Sequence, residues 1–302
     1  MMHAAVLRYV REVARSGSIR RAAATLNVAS SAVNRQILAL EAQLGMRLFD
    51  RMPEGVRPTP AGALLLRHVG DTLHDYDRLL AELDGLRGVR SGHVRVVALD
   101  SLLVDFLPRV LAGFSRRYQA ITFAVQAVAP MAVFQQLIAG EADLGLSFVV
   151  PASPAVRLVA SVRMPVGAVM PAAHPLARAG PLALDAFAGH AVLLQQETLP
   201  LVPSIDETFA AFRSAARPLL VSNSIEMLRQ AIRAGMGVAF FTRLGFLREI
   251  AAGELVWVRL ASPRLEALRL GLFAPAQRTL SPAAGALLDE FAARLGELED
   301  AP

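Results

Sequence analysis

Val6, Tyr9, Val10 and Val13 fall on one face of a helix at the start of the chain, and Ser16-Gly17 ends it. A second helix follows directly. Ser18 is placed to cap it, Ile19, Ala22, Ala23 and Leu26 form its apolar face, and Asn27, which tolerates left-handed backbone, closes it. Val28 then plugs a tight turn, and Ser30 or Ser31 caps a third helix. Val33, Ile37, Leu40 and Leu44 repeat along one side of that helix, with Ser30, Ser31, Asn34 and Arg35 on the other. Two short helices joined by about four residues, with alanines where they must approach closely, match the helix-turn-helix that places one helix in a DNA groove. An ordinary helical hairpin shares that spacing.

Residues 45 to 60 carry the glycine and proline content of a two-stranded wing, with Arg51 and Arg57 suited to lie along phosphates. From Ala61 a long helix is predicted. Leu66, Val69, Leu73, Tyr76, Leu80 and Leu83 step by three, four, three, four and three, which is a heptad seam. Packing within one chain gives the same spacing, but the charged flanks Arg67, Asp71, Asp75, Asp77 and Arg78 favour a two-helix interface, so a homodimer is expected. Gly88 and Gly92 then break the helix and predict a hinge.

Beyond the hinge the period shortens. HVRVVAL, ITFAVQAV, ADLGLSFV, VRLVASV, PVGAVM, HAVLLQ, PLLVS and GVAFF read as strands, separated by helical segments near residues 103–118, 131–140, 205–215 and 225–234. That alternation predicts α/β architecture with largely parallel sheets, large enough for two lobes around a cleft.

Charge sharpens the picture. The net charge is +5, but residues 1–67 hold 10 arginines against 4 acids, while the remainder holds 21 against 22. The basic front moves the helical pair toward a polyanionic partner, double-stranded DNA. The chain has no cysteine, and all 31 basic residues are arginine. Disulfides, thiolate metal sites, Schiff-base lysines and phosphate-loop lysines are therefore excluded. Arg8, Arg11 and Glu12 stand where a leader peptide would need its apolar stretch, so a cytoplasmic location is expected. The longest charge-free run, Tyr118 to Gly140, contains four glutamines and Pro130 and makes a poor membrane span.

No G-x-S-x-G or H-E-x-x-H motif occurs, and the six histidines show no metal-ligand spacing. Gly235-x-Gly237 follows a helix rather than a strand and reads as a helix end. Binding is expected rather than catalysis, with no cofactor and no metal. In open α/β sheets ligands lie beyond the carboxyl ends of strands, near helix amino-termini. Asp100-Ser101 and Ser222-Asn223-Ser224 occupy such places, and Gln195, Gln196, Glu197 and Thr198 form a third polar segment. Each serine, threonine or asparagine there serves equally well as a plain helix cap.

The stretch LRYVREVARSGSIRRAAATLNVASSAVNRQILALEAQLGMRLFDR, followed by GVRPTPAG, resembles the winged helix-turn-helix of LysR-type transcriptional regulators. Where that family usually has Gln-Pro and then Ala-Val-Ser-Arg, this chain has Ser30-Ser31-Ala32-Val33-Asn34-Arg35. The departure touches the residues facing DNA rather than the fold. GEADLGLSF, HPLA and NSIEMLRQAIRAGMGVAFF resemble, more loosely, the family's effector domain, which is like a two-lobed periplasmic binding protein.

The resemblance implies a winged helix-turn-helix domain over residues 1–58, a linker helix and hinge over 59–90, and an effector-binding domain over 91–302. Its lobe I would comprise about residues 91–163 and 268–302, and lobe II about 164–267. It further implies that Ser30, Ser31, Asn34 and Arg35 face DNA, with Asn34 and Arg35 reading bases and Arg51 and Arg57 holding the backbone. Asp100, Ser101, Thr198, Asn223 and Ser224 would face one cleft holding a small-molecule effector. The assembly implied is a homotetramer built from two dimers. Carboxylates are frequent effectors in the family, and Asp100 opposes them; Arg243 is a candidate for compensating charge. A cytoplasmic solute-binding protein without a DNA-binding role is the alternative.

Overall fold

Helix α1 (Ala4–Ser16) and helix α2 (Ile19–Thr25) meet at Gly17, and the Ser18 hydroxyl accepts the backbone N–H of Arg21 as the cap of α2. Asn27 adopts φ of 52°, the left-handed geometry its short polar side chain tolerates. The computed structural model describes residues 4–53, 55–86, 91–149, 153–195, 212 and 217–298. Helix α3 (Ser30–Leu44) starts one residue earlier than its serines suggest. Its cap position is Ala29, with no side-chain cap bond, so Ser30 and Ser31 lie in the first turn instead of capping it. Val33, Ile37 and Leu40 are buried as the spacing predicts, whereas Leu44, one turn from the helix end, is exposed.

Strands β1 (Phe49–Met52) and β2 (Gly55–Pro58) pair antiparallel as the wing. Helix α4 (Pro60–Leu86) follows, and its first half does not behave as a free seam. Val69 and Leu73 are 0% and 3% exposed, packed into one cluster with Leu7, Val10, Val33 and Ile37, and Leu66 packs against the same cluster. Those three seam residues close the core of their own domain. Tyr76 and Leu83 are exposed, and the Leu80 side chain lies outside the described residues, as do those of Arg67, Asp71, Asp77 and Arg78.

The rest builds two five-stranded sheets. The first contains β3 (Gly92–Ala98), β4 (Ile121–Ala127), β5 (Leu144–Phe148) and β6 (Val156–Arg163), in the order β4, β3, β5, β12, β6. The second contains β7 (Gly167–Pro171), β8 (Val192–Gln195), β9 (Leu220–Ser222), β10 (Val238–Phe241) and β11 (Leu255–Arg259), in the order β11, β7, β10, β8, β9. β12 (Arg269–Pro275) returns the chain to the first sheet.

The expectation of largely parallel sheets is corrected. β3 pairs parallel with β4 and β5, and β8 with β9 and β10, but one strand in each sheet is reversed: β12 pairs antiparallel with both β5 and β6, and β7 with both β10 and β11. Of the two reversed strands β7 was predicted from PVGAVM and β12 was not; β11 is the other strand missed from sequence.

The predicted helix over 103–118 is two pieces, α5 (Asp100–Leu103) and α6 (Phe106–Arg117), broken at Val104 and Asp105. Helix α7 (Pro130–Ile138) follows β4, and α8 (Ile225–Arg233) follows β9 with Ser224 as its cap. Short helices α9 (Leu247–Ala251) and α10 (Pro263–Glu266) precede the closing helix α11 (Pro282–Gly296). The segment predicted as a helix over 205–215 lies outside the described residues except Phe212, which stacks edge-on against Phe240. Part of the hinge prediction, including Gly88, likewise lies outside them. Among the described residues no helix is long and apolar enough to cross a membrane.

Candidate nucleic-acid interface and ligand cleft

The wing is fixed to the helical domain by bonds at both ends. Glu41 Oε1, on α3, accepts the backbone N–H groups of Leu48 at 2.7 Å and Phe49 at 3.2 Å, which aligns the entry to β1. At the tip side, Val56 N–H donates to Gly17 O at 2.9 Å, and a Cβ at Gly55 would lie 2.2 Å from that same carbonyl. Only glycine permits this approach. The wing is thereby held beside α3 with Ser30, Ser31 and Arg35 exposed, Arg57 exposed on β2, and Asn34 half-buried.

Arg51 and Asn34 do not stand apart as two separate contacts. Arg51 Nη2 donates to Asn34 Oδ1 at 2.8 Å, bridging wing and helix. The bond holds the Asn34 amide in one orientation, so the pair presents to a partner as one unit. Glu41, which sets the wing, was not singled out from sequence, because a glutamate inside a helix reads as ordinary solvated surface.

The second site is a cavity of about 230 Å³ between the two sheets, lined by residues that include Asp100, Ser101, Gln195, Asn223 and Thr242. Three of the five residues expected to hold the effector meet there, Asp100, Ser101 and Asn223, together with Gln195 of the third polar segment. Ser224 does not line the cavity; its hydroxyl accepts the N–H of Met227 and caps α8. Thr198, Gln196 and Glu197 lie outside the described residues. Arg243 faces elsewhere, lining a smaller cavity with Arg163, Arg259 and Glu266, so the compensating charge considered for it is not at the cleft.

Asp100 spans the two lobes. Its Oδ1 accepts the Ser101 N–H at 2.8 Å, and its Oδ2 accepts Gln195 Nε2 at 2.8 Å from the second sheet. The Ile225 N–H at the start of α8 also donates to it. Burial pushes this carboxyl above the usual carboxylate range, against the opposing pull of those hydrogen bonds. A second tie between lobes joins Arg248 of α9 to the buried Asp105 at 3.1 Å. The apolar lining residues Ala127, Val128, Phe148, Val166 and Phe240 were missed from sequence. Each lies in or next to a predicted strand, where an apolar residue reads as core.

A winged helix-turn-helix joined by one long helix to a two-lobed ligand-binding domain defines a DNA-binding protein that senses a small molecule. Residues 5–63 match the bacterial regulatory helix-turn-helix protein, lysR family, and residues 87–296 match the LysR substrate binding domain. The chain belongs to the LysR family of transcriptional regulators.

Among curated relatives it is 28% identical over 236 residues to the RuBisCO operon transcriptional regulator of Allochromatium vinosum, covering 77% of each chain. It is 25% identical over 241 residues to the transcriptional activator protein LysR of Escherichia coli (strain K12), covering 80% of this chain and 78% of that one. Of solved structures, a full-length OxyR variant from Pseudomonas aeruginosa superposes with a TM-score of 0.69 at 19% identity, over 96% of this chain and 94% of that chain. Full-length CbnR complexed with its target DNA superposes with a TM-score of 0.59 at 20% identity, over 97% of this chain and all of that one. These likenesses show the fold.

Proposed function

We propose that this regulator docks α3 in the major groove of operator DNA, with Asn34 and Arg35 at base edges, Ser30 and Ser31 at the groove wall, and Arg51 and Arg57 along the phosphates. The observation that carries the reading is the exposed polar face of α3 held beside an arginine-bearing wing by the Arg51 to Asn34 bond. Direct readout needs side chains of this type on a helix start, and wing arginines supply the sequence-independent attraction.

The cleft holds the effector, with Asp100, Ser101 and Asn223 at its polar rim. Binding there changes the relation between lobes and so the spacing of the DNA-binding domains. The working unit is a homodimer through the outer half of α4, where Tyr76, Leu79 and Leu83 are exposed, paired again into a tetramer. The protein acts in the cytoplasm, as a regulator and not as an enzyme, and without a cofactor.

The test is an unbiased selection of bound fragments from the protein's own genome with the purified full chain, followed by thermal stabilisation across a metabolite library on the wild type, Ser101→Ala and Asn223→Ala. Discrete sites and a metabolite whose stabilisation falls in both variants are expected. Uniform binding along DNA defeats the operator reading, and a metabolite that stabilises all three proteins equally defeats the cleft reading.

A further inference from the structure

Among the described residues lining the cleft, Asp100 is the only ionisable side chain. Leu99, Phe148, Val166, Phe240 and Phe241 belong to its apolar wall, and Ser101, Asn223 and Thr242 add uncharged polar groups. Every donor recorded on the Asp100 carboxylate is neutral: backbone N–H groups and the Gln195 amide. Neutral donors orient a carboxylate without cancelling its charge, and a buried charge is stable when paired with an opposite one. Among the described residues no cation stands beside this carboxylate, so they form a largely apolar pocket carrying one negative charge. An anion entering it meets that charge at low effective dielectric, whereas a cation relieves it.

Resting on the cleft reading above, we propose that the effector is an organic cation, an amine on a small apolar body, whose N–H groups bind the Asp100 carboxylate while its body lies against the phenylalanines. Gln195, which donates to Oδ2 from the second-lobe side, shares that oxygen with the ammonium as it arrives. The cleft therefore excludes carboxylates of the same shape. At about 230 Å³ the cavity admits a single ring or a short aliphatic chain.

Matched probes test this on the full chain: cyclohexylamine, cyclohexanecarboxylate and cyclohexanol, and benzylamine, benzoate and benzyl alcohol. Each is titrated by calorimetry and scanning fluorimetry into the wild type, Asp100→Asn and Asp100→Ser. At least one amine is expected to bind saturably and at least tenfold more tightly than its matched acid and alcohol, and both variants should lose that preference. The two variants differ in size and capping ability, so a fold defect in one leaves the other to decide. The amine assignment is overturned by an acid or alcohol that binds the wild type more tightly than its amine, by an amine whose affinity is unchanged in both variants, or by no response to either amine. An acid whose binding falls in Ser101→Ala and Asn223→Ala overturns the amine and leaves the cleft reading standing.

Discussion

Single side chains separate the two kinds of DNA contact. Arg35 is exposed on α3 and bonds to none of the described residues, whereas Arg57 sits on β2 opposite Asp50 in register. Arg35→Ala should cost about 1–3 kcal/mol at the operator and relax preference at one base pair, while Arg57→Ala should weaken all sequences alike and lower the salt slope by about 1. Binding across single-base operator variants at several salt concentrations separates the two, and an unchanged preference profile for Arg35→Ala would refute its role. Asp100 offers a different measurement. Burial raises its carboxyl pKa in the folded chain, so the folded state holds the proton more tightly than the unfolded one. Its contribution to stability is therefore fully present below the unfolded pKa and is lost as pH rises through the folded value. Melting curves of wild type and Asp100→Asn should diverge in favour of the variant from acid toward neutral pH; parallel curves would show that the carboxyl is not strained by burial.

At the scale of elements, α4 carries two jobs along one periodic seam. Leu73, at 3% exposure inside the core of the N-terminal domain, cannot accept a charge without an unpaired ion in an apolar cluster, a cost of several kcal/mol. Leu73→Glu should therefore unfold that domain in circular dichroism and thermal melts, whereas Leu83→Glu should leave it folded and lower the mass in sedimentation. A Leu83→Glu protein of unchanged mass would place the dimer contact elsewhere. The heptad spacing was legible in the sequence, but which partner it faced was not, because a helix packed on its own domain and one packed on a second copy bury the same positions. The same limit governs the strands. Runs such as HVRVVAL and ITFAVQAV announced β3 and β4, while β11 and β12, in LVWVR and RLGLFAP, were not among the predicted strands although their residues are equally apolar. At the cleft, Asp100, Ser101 and Asn223 were legible as polar residues between strand and helix. Its apolar wall was not, because residues from both sheets converge there only after the return crossings are made.

On the scale of the whole molecule, α7 runs from the cleft to the DNA-binding half, beside the contacts that β3 and α11 also make with α4. Helix α7 begins at Pro130, which lines the cleft and whose carbonyl accepts the Ser147 hydroxyl, and it ends at Ile138, so that the Ala139-Gly140 turn after it lies against α4. There Gly70 lies so close that a Cβ would stand 2.4 Å from Ala139 O. That carbonyl belongs to a backbone turn with little freedom to retreat: Arg95 Nη1 donates to Gly140 O at 3.0 Å, and Arg278 Nη2 donates to Ala142 O at 2.8 Å. Gly70→Ala should consequently push α4 away from the ligand-binding domain. The substitution favours the helix itself by roughly 1 kcal/mol, so any loss of compactness cannot be laid to helix unfolding. Solution scattering should show a larger radius for Gly70→Ala, ligand binding in the cleft should persist, and operator affinity should respond less to ligand than in the wild type. A variant as compact as the wild type, with the full ligand response on DNA, would show that α7 does not carry the signal and that the two halves communicate by another route.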